Sequence, residues 1–349
     1  MRHPRGQPYR GNTLKVGIYN CVKDVKNRGR DLPAVMDEVI EEAILAEEMG
    51  FDSMFFGEHH MDQEGQILPS PLLAATAVAA NTKTLKLGTA ILLLPLYHPV
   101  HVAEDVASLD IISKGRTILG VGLGYQEADF AAFGIDQREA RGRLEEGVDI
   151  IRQCWTGETF SYAGKHFQLK DVTCVPTPLQ RPGPPLWFGG GVAKAVERAG
   201  RMGDSWICTM FEDEKTARSL VEVYRQEVGE GQGQVVLMRD AWIADSREEA
   251  YRQYAPYWLP AIKYYWRAGL PELSHLTSES EITMENMAPP IMVIGNPQEC
   301  VDDLRKWRDV TGASYFVLRI RQEHSGGPPH NQVMAAIRRF GEEVLPDLE

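Results

Sequence analysis

One phrase recurs along the chain: a stretch with helical spacing, a glycine, one or two small or acidic residues, then an apolar run. It reads MGFDSMFF from Met49, MGDSWICT from Met202 and TGASYFVL from Thr311. A helix that stops at glycine and turns directly into a buried strand is half of a strand–helix–strand unit. Its repetition narrows the fold to a parallel sheet covered by helices.

Filling in between these copies gives apolar runs at Val16–Tyr19, Ser53–Gly57, Leu85–Leu94, Arg116–Gly122, Leu186–Gly189, Ser205–Thr209, Val235–Ala244 and Tyr315–Ile320. Helical patterns separate them at Pro33–Met49, Pro71–Asn81, Pro99–Ile112, Arg138–Trp155, Val192–Met202, Asp213–Val228, from Arg247 resuming at Pro297–Thr311, and from Asn331 to Leu345. Strands alternating with helices through 349 residues predict an α/β fold. The closed (β/α)8 TIM barrel, with insertions in the strand-to-helix loops, is expected ahead of a doubly wound open sheet. Two segments exceed plain connections. Gly157–Pro185 contains the hairpin-like YAGKHFQL and a proline-rich return, and Gly269–Pro290 is polar without periodicity. Residues 1–12 read as a flexible tail and 13–349 as one domain.

Lys and Arg number 37 against 49 Asp and Glu, a net charge of −12, which disfavours phosphate-backbone binding and excludes nucleic acid as the expected partner. The start, MRHPRGQPYRGN, lacks the apolar core of a secretory signal, and the apolar run LGTAILLLPL is too short for a membrane span. A cytoplasmic protein is expected. The five cysteines, Cys21, Cys154, Cys174, Cys208 and Cys300, are scattered without C-x-x-C spacing and read as reduced packing residues.

Three clusters fall at strand ends, where a barrel of this type carries its chemistry. Glu58, His59 and His60 follow the second run directly. Adjacent residues of extended chain point to opposite sides, so a shared metal is disfavoured and no metal is expected; a histidine capping the strand is the plain alternative to catalysis. Gly120, Gly122 and Gly124 close the fourth run with spacing unlike a dinucleotide fingerprint, and they suit close approach by a flat ligand or by another backbone. Gly189, Gly190 and Gly191 lead into a helix with Lys194 in its first turn, which reads either as an anion nest or as a tight turn.

The run from GEHHMDQEG through LGTAILLLPLYHPV, Glu104-Asp105 and SKGR at Ser113 to GVGLGYQEADF closely resembles the bacterial luciferase-like flavin monooxygenase family. The resemblance implies a (β/α)8 barrel whose mouth holds reduced FMN, delivered by a separate NAD(P)H flavin reductase. It also implies a homodimer that oxygenates a small substrate through a peroxyflavin. His59 matches the family's catalytic histidine, with His60 beside it and Glu58 helping to set tautomer and pocket wall. Ala90 and Ile91 match a position that often carries a non-prolyl cis peptide next to the flavin, and Gly190 and Gly191 match the phosphate loop. Gly122, Leu123, Tyr125 and Gly189 complete the implied cofactor surroundings. Leu123 stands where many FMN-using members have arginine, and Arg319 or Arg321 is then the expected source of the missing charge. GGGVAKAVERAGRMGD also resembles relatives that use 8-hydroxy-5-deazaflavin for hydride transfer, so that coenzyme is the alternative, with a catalytically silent barrel as a further one. The substrate is not legible. Its expected determinants are Tyr19–Asp31 and Gly269–Pro290, and the aromatic stripe Trp258, Tyr264, Tyr265, Trp266 reads as core or dimer interface rather than substrate wall.

Overall fold

The computed structural model describes residues 14–348 except 22, 26–30, 62–64, 68, 230–232, 268, 271–272 and 323–324. The expected tail and much of the Tyr19–Asp31 loop lie outside the described residues. In chain order the strands are β1 (Lys15–Asn20), β2 (Lys23–Val25), β3 (Ser53–Phe56), β4 (Gly65–Ile67), β5 (Lys86–Thr89), β6 (Thr117–Val121), β7 (Phe160–Ala163), β8 (Gln168–Val172), β9 (Leu186–Gly189), β10 (Ser205–Cys208), β11 (Gln234–Ile243), β12 (Val293–Gly295) and β13 (Tyr315–Arg319). The helices are α1 (Leu32–Glu48), α2 (Pro71–Asn81), α3 (Pro99–Ser113), α4 (Glu127–Ala132), α5 (Ala140–Thr156), α6 (Ala193–Met202), α7 (Glu214–Val228), α8 (Arg247–Arg267), α9 (Met284–Met287), α10 (Pro297–Thr311) and α11 (His330–Glu343).

Parallel pairing runs β10-β9-β6-β5-β3-β1-β13-β11, and a further pairing of β10 with β11 closes the ring. The fold is the expected (β/α)8 TIM barrel, and its eight strands coincide with the eight apolar runs. The open sheet is excluded. β2 with β4 and β7 with β8 add two antiparallel ribbons, while β12 extends the far end of β11. The segment from Gly269 leads through α9 into β12, within the connection that follows β11. The β7–β8 hairpin instead joins α5 to β9, a helix-to-strand connection, so it is not one of the loops after the strands.

The recurring glycine answers two physical demands. Gly50 and Gly312 have φ of 85° and 67°, the left-handed conformation that ends a helix. Gly203 is extended, with φ −93°. There a Cβ would lie 2.9 Å from both the Ala199 carbonyl oxygen and the Phe188 ring, so close packing, not turn geometry, requires glycine. α10 shows the complete set of helix signals: Pro297 in its first turn, and a capping box in which Asn296 accepts from Glu299 N–H while Glu299 accepts from Asn296 N–H.

The barrel lumen is filled by aromatic and branched side chains. Phe55 stacks on Trp187 with ring centroids 5.2 Å apart, and Trp187 meets Tyr315 edge-on at 5.2 Å. Chemistry is therefore confined to the strand ends. The third run departs from expectation, because its strand ends at Thr89 instead of Leu94. The Ala90–Ile91 peptide is cis, and Leu94–Leu96 form a 3-10 turn. Trp258 and Tyr265 are buried in the core, the Trp258 indole donating to Asp240 at 2.6 Å. All five cysteines are buried. Among the described residues no helix is long and apolar enough to cross a membrane.

Candidate functional site

Glu58 is the anchor of the strand-end cluster. Its residue is 5% exposed, and its carboxylate accepts the Leu93 N–H at 2.8 Å and the Tyr97 hydroxyl at 2.8 Å, with His60 Nε2 2.6 Å away. These bonds tie the end of β3 to the connection between β5 and α3 and fix the orientation of the His60 ring, which also meets Phe133 edge-on at 4.9 Å. Burial, and then the Glu58 charge, raise the Tyr97 pKa far above its ordinary value, so Tyr97 remains a phenol donor to that carboxylate.

His59, half-buried, stands between Glu58 and His60 in sequence. Asp129, on α4, completes the group. Its carboxyl is buried, with Oδ1 lacking a hydrogen-bond partner. Burial raises its pKa; the positive potentials of His60 and His59 pull it down and Glu58 pushes it up. Two imidazoles beside a buried carboxyl with an orphaned oxygen can hold and pass a proton. Sequence reasoning missed Asp129 and Tyr97. Both lie inside the runs that carry the family resemblance, GYQEADF and LLLPLYHPV, but nothing in their spacing marks them as partners of Glu58, His59 and His60.

The glycine clusters resolve into contacts of the chain with itself. At Gly120 a Cβ would sit 2.0 Å from the Thr89 carbonyl oxygen; the Thr89 hydroxyl accepts the Gly120 N–H at 3.0 Å and donates to its carbonyl at 2.6 Å. Gly122 and Gly189 both face the Ile91 side chain, whose atoms would lie 1.8 Å and 2.9 Å from a Cβ at those positions. Ala90, Ile91, Gly122 and Gly189 are thus brought together, and the glycines make room for Ile91. Leu123 is half-buried in the apolar cluster of Leu93, Leu96 and Phe130, while Tyr125 is 44% exposed near the start of α4. Gly190 donates its N–H to Ile207 O at 3.2 Å and accepts from the Trp206 indole at 2.8 Å, so that amide is committed internally. The exposed first turn of α6, from Val192 to Lys194, retains the amides that a helix start cannot pair within itself.

The expectation that Arg319 or Arg321 supplies charge for a cofactor is corrected by their surroundings. Arg319 is fully buried and donates to both Asp240 oxygens, at 2.6 and 3.0 Å. Arg321 donates to Glu42 and, at 3.4 Å, to Glu38 on α1. Each guanidinium is held by carboxylates of its own chain because both arginines lie inside the protein, and a buried charge needs an internal counterion. Glu38, Glu42 and His330 bring their ligand atoms within 4.8 Å of one another, and Arg321 is the cation among them.

This cluster carries a pH dependence. Burial would raise the Glu42 pKa, but the Arg321 charge and the His330 and Arg321 hydrogen bonds outweigh it and leave it lowered. The hydrogen bond to Glu42 is the leading cause of a raised His330 value, against burial. A raised histidine contributes stability below its unfolded pKa and loses it as pH rises through the folded one. His330→Gln is therefore expected to destabilise the fold more at about pH 5.5 than at about pH 8.5, either side of the ordinary imidazole value. Denaturant unfolding at the two pH values measures this, and an equal loss at both removes the linkage.

Two cavities flank the barrel. The larger, about 390 Å3, is lined by the starts of the strands and so lies opposite Glu58–His60; the smaller, about 360 Å3, lies between α8 and α11.

The sequence profile of the family described as luciferase-like monooxygenase matches residues 19–314. An F420-dependent glucose-6-phosphate dehydrogenase of Amycolatopsis mediterranei is 28% identical over 327 residues, covering 89% of this chain and 94% of that one. The oxygenase component of a flavin-dependent trigonelline monooxygenase of Acinetobacter baylyi is 27% identical over 329 residues, covering 89% of each. The crystal structure of monooxygenase RslO1 from Streptomyces bottropensis superposes with a TM-score of 0.82 at 24% identity, covering 96% of this chain and 100% of that one, and so attests the fold. With its barrel closed, its strand-end cluster in place and the profile spanning most of its length, the chain belongs to the luciferase-like monooxygenase family.

Proposed function

We propose that the chain is a flavin-dependent monooxygenase that takes reduced FMN from a separate NAD(P)H flavin reductase and, with molecular oxygen, oxygenates a small organic substrate. The observation that carries the reading is the cluster at the end of β3, with Glu58 orienting His60 beside His59 and the buried Asp129. The name of the Acinetobacter relative, an oxygenase component, supports a two-component arrangement. A homodimer is part of the same reading.

The residues fit such a cofactor. The orphaned Asp129 Oδ1 is a polar atom inside the cluster that awaits a partner, and the first turn of α6 with Lys194 offers N–H groups and charge to a phosphate. Reduced FMN, when bound, supplies the electrons that activate oxygen. In this reading His59 holds or delivers a proton at one imidazole nitrogen, Asp129 tunes that imidazole, and Glu58 and Tyr97 keep His60 oriented. Ile91, packed over Gly122 and Gly189, forms an apolar wall that excludes water.

A second reading, hydride transfer with 8-hydroxy-5-deazaflavin, is favoured by Leu123, an apolar residue packed where many FMN-using members have arginine, and by the Amycolatopsis relative. Anaerobic titration with reduced FMN and, separately, reduced deazaflavin, followed by mixing with oxygenated buffer, decides between them. Tight FMN binding with a transient near-ultraviolet absorbance is expected. Selective deazaflavin binding without an oxygen-dependent transient overturns the proposal, as does binding of neither.

Gly190→Leu is expected to weaken FMN affinity about tenfold or more, about 1.4 kcal/mol. Its Cβ would meet the Ala195 Cβ at 2.5 Å and displace the first turn of α6. Unchanged affinity in the same titration would remove α6 from the cofactor site.

A further inference from the structure

Phe133 caps α4 four positions after Asp129, and its N–H bonds the Asp129 carbonyl at 3.1 Å, so the two side chains share one face of that short helix. Phe130 is buried with Leu93, Leu96 and Ala140 and holds α4 in place. The shared face looks onto the histidines: the Phe133 ring lies 4.9 Å from the His60 ring, and the Asp129 carboxyl is close enough to His59 and His60 for their charges to interact. Asp129 is 2% exposed, yet its Oδ1 accepts no hydrogen bond, an arrangement that costs free energy until a bound group supplies a donor. Phe133 is 46% exposed, and Met61, next to His60 in sequence, is 50% exposed, so both offer a free apolar surface at the same place. Met61 is also held at φ 44°, a backbone conformation that L side chains seldom adopt and that clusters at ligand sites.

We propose that this face binds the substrate and that the substrate is a neutral hydroxylated aromatic, its ring against Phe133 and Met61 and its hydroxyl donating to Asp129 Oδ1. A flat ring can stack offset on Phe133 and meet the polarisable Met61 thioether at its edge. The hydroxyl supplies the donor that Oδ1 lacks, and the analogue without it leaves that oxygen buried and unsatisfied. A carboxylate or phosphate head is disfavoured, because Glu58 and Asp129 already place two acids in the cluster. Calling this ligand the substrate rests on the flavin reading, whereas its binding does not require flavin.

Calorimetric titration of the full chain with 2-naphthol tests it, alone and with reduced FMN added anaerobically, beside 2-methoxynaphthalene, which lacks the donor, and the anion 2-naphthoate. Saturable binding of 2-naphthol with a Kd below about 1 mM is expected, and about tenfold or more weaker binding of the other two. Asp129→Ala removes a buried carboxyl oxygen that has no partner, so it is expected to fold at least as stably as the parent and to bind 2-naphthol no better than 2-methoxynaphthalene. Phe133→Ser, at an exposed position, is expected to weaken both about tenfold or more while leaving FMN affinity within a few-fold of the parent. No saturation below about 1 mM, equal affinity for 2-methoxynaphthalene, or 2-naphthol affinity unchanged in the two variants would overturn the proposal. FMN binding without the 2-naphthol preference overturns this inference alone. The preference retained in a chain that binds neither FMN nor deazaflavin supports the aromatic site and overturns the flavin reading.

Discussion

His59→Ala is expected to lower turnover with reduced FMN by about 10²- to 10⁴-fold, the range that a positioned proton donor or acceptor contributes, while changing FMN affinity by no more than a few-fold. The asymmetry follows from position. His59 leaves β3 at the strand-end face, half-buried and close enough to Asp129 for their charges to interact, so its loss removes a titrating group from the reacting region. The phosphate is proposed to bind elsewhere, at the first turn of α6. His60→Ala, by contrast, leaves the Glu58 carboxylate without a partner that stands 2.6 Å away, and the damage should extend to the connection between β5 and α3. Single-turnover measurement of product with prebound reduced FMN separates these effects. Turnover of His59→Ala equal to that of the parent chain would remove His59 from the chemistry.

Asp240→Ala carries the largest expected loss of stability, about 3–5 kcal/mol, the usual cost of breaking a buried ion pair from one side. Asp240 is 1% exposed and receives the Arg319 guanidinium through two bonds, the Trp258 indole at 2.6 Å and the Gln322 amide at 2.6 Å. Alanine would remove the carboxylate that faces the buried Arg319 charge and accepts the Trp258 indole, leaving the Gln322 amide its bond to the Tyr254 hydroxyl at 2.7 Å. A pair of substitutions, Asp240→Ala with Arg319→Met, should recover much of the loss, because no charge then remains to be compensated. Denaturant unfolding of the single and double variants checks both statements. A single-variant loss below about 1 kcal/mol would mean that water reaches the pair and that it is not the sealed contact described here.

Both outcomes bear on how much of the molecule is legible before it is folded. The barrel was readable because burial on both faces of a parallel strand leaves a run of apolar residues, and because glycine or proline marks nearly every helix boundary; the eight runs became the eight barrel strands. The short pieces were not. β12 has three residues and α4 six, lengths at which neither period can be told from chance, yet α4 is what brings Asp129 to the histidines. The third run misled for a related reason. Apart from Lys86 and Thr89, Leu85–Leu94 carries no polar side chain, and hydropathy cannot register that the strand stops at Thr89, where the chain turns to send Leu93 and Tyr97 back to Glu58.

The site divides in the same way. From sequence alone the strand-end position of Glu58, His59 and His60, the glycine runs and the family resemblance were available, since strand order and loop placement follow from local pattern once the barrel is granted. Which side chains meet was decided only by tertiary structure. Glu58 joins His60, Leu93 and Tyr97 across 2, 35 and 39 positions of sequence, Arg319 reaches Asp240 across 79, and Arg321 reaches Glu42 across 279. Local propensity acts over a few residues, whereas the burial that forces a charge to find its counterion acts between whatever elements the closed barrel presses together.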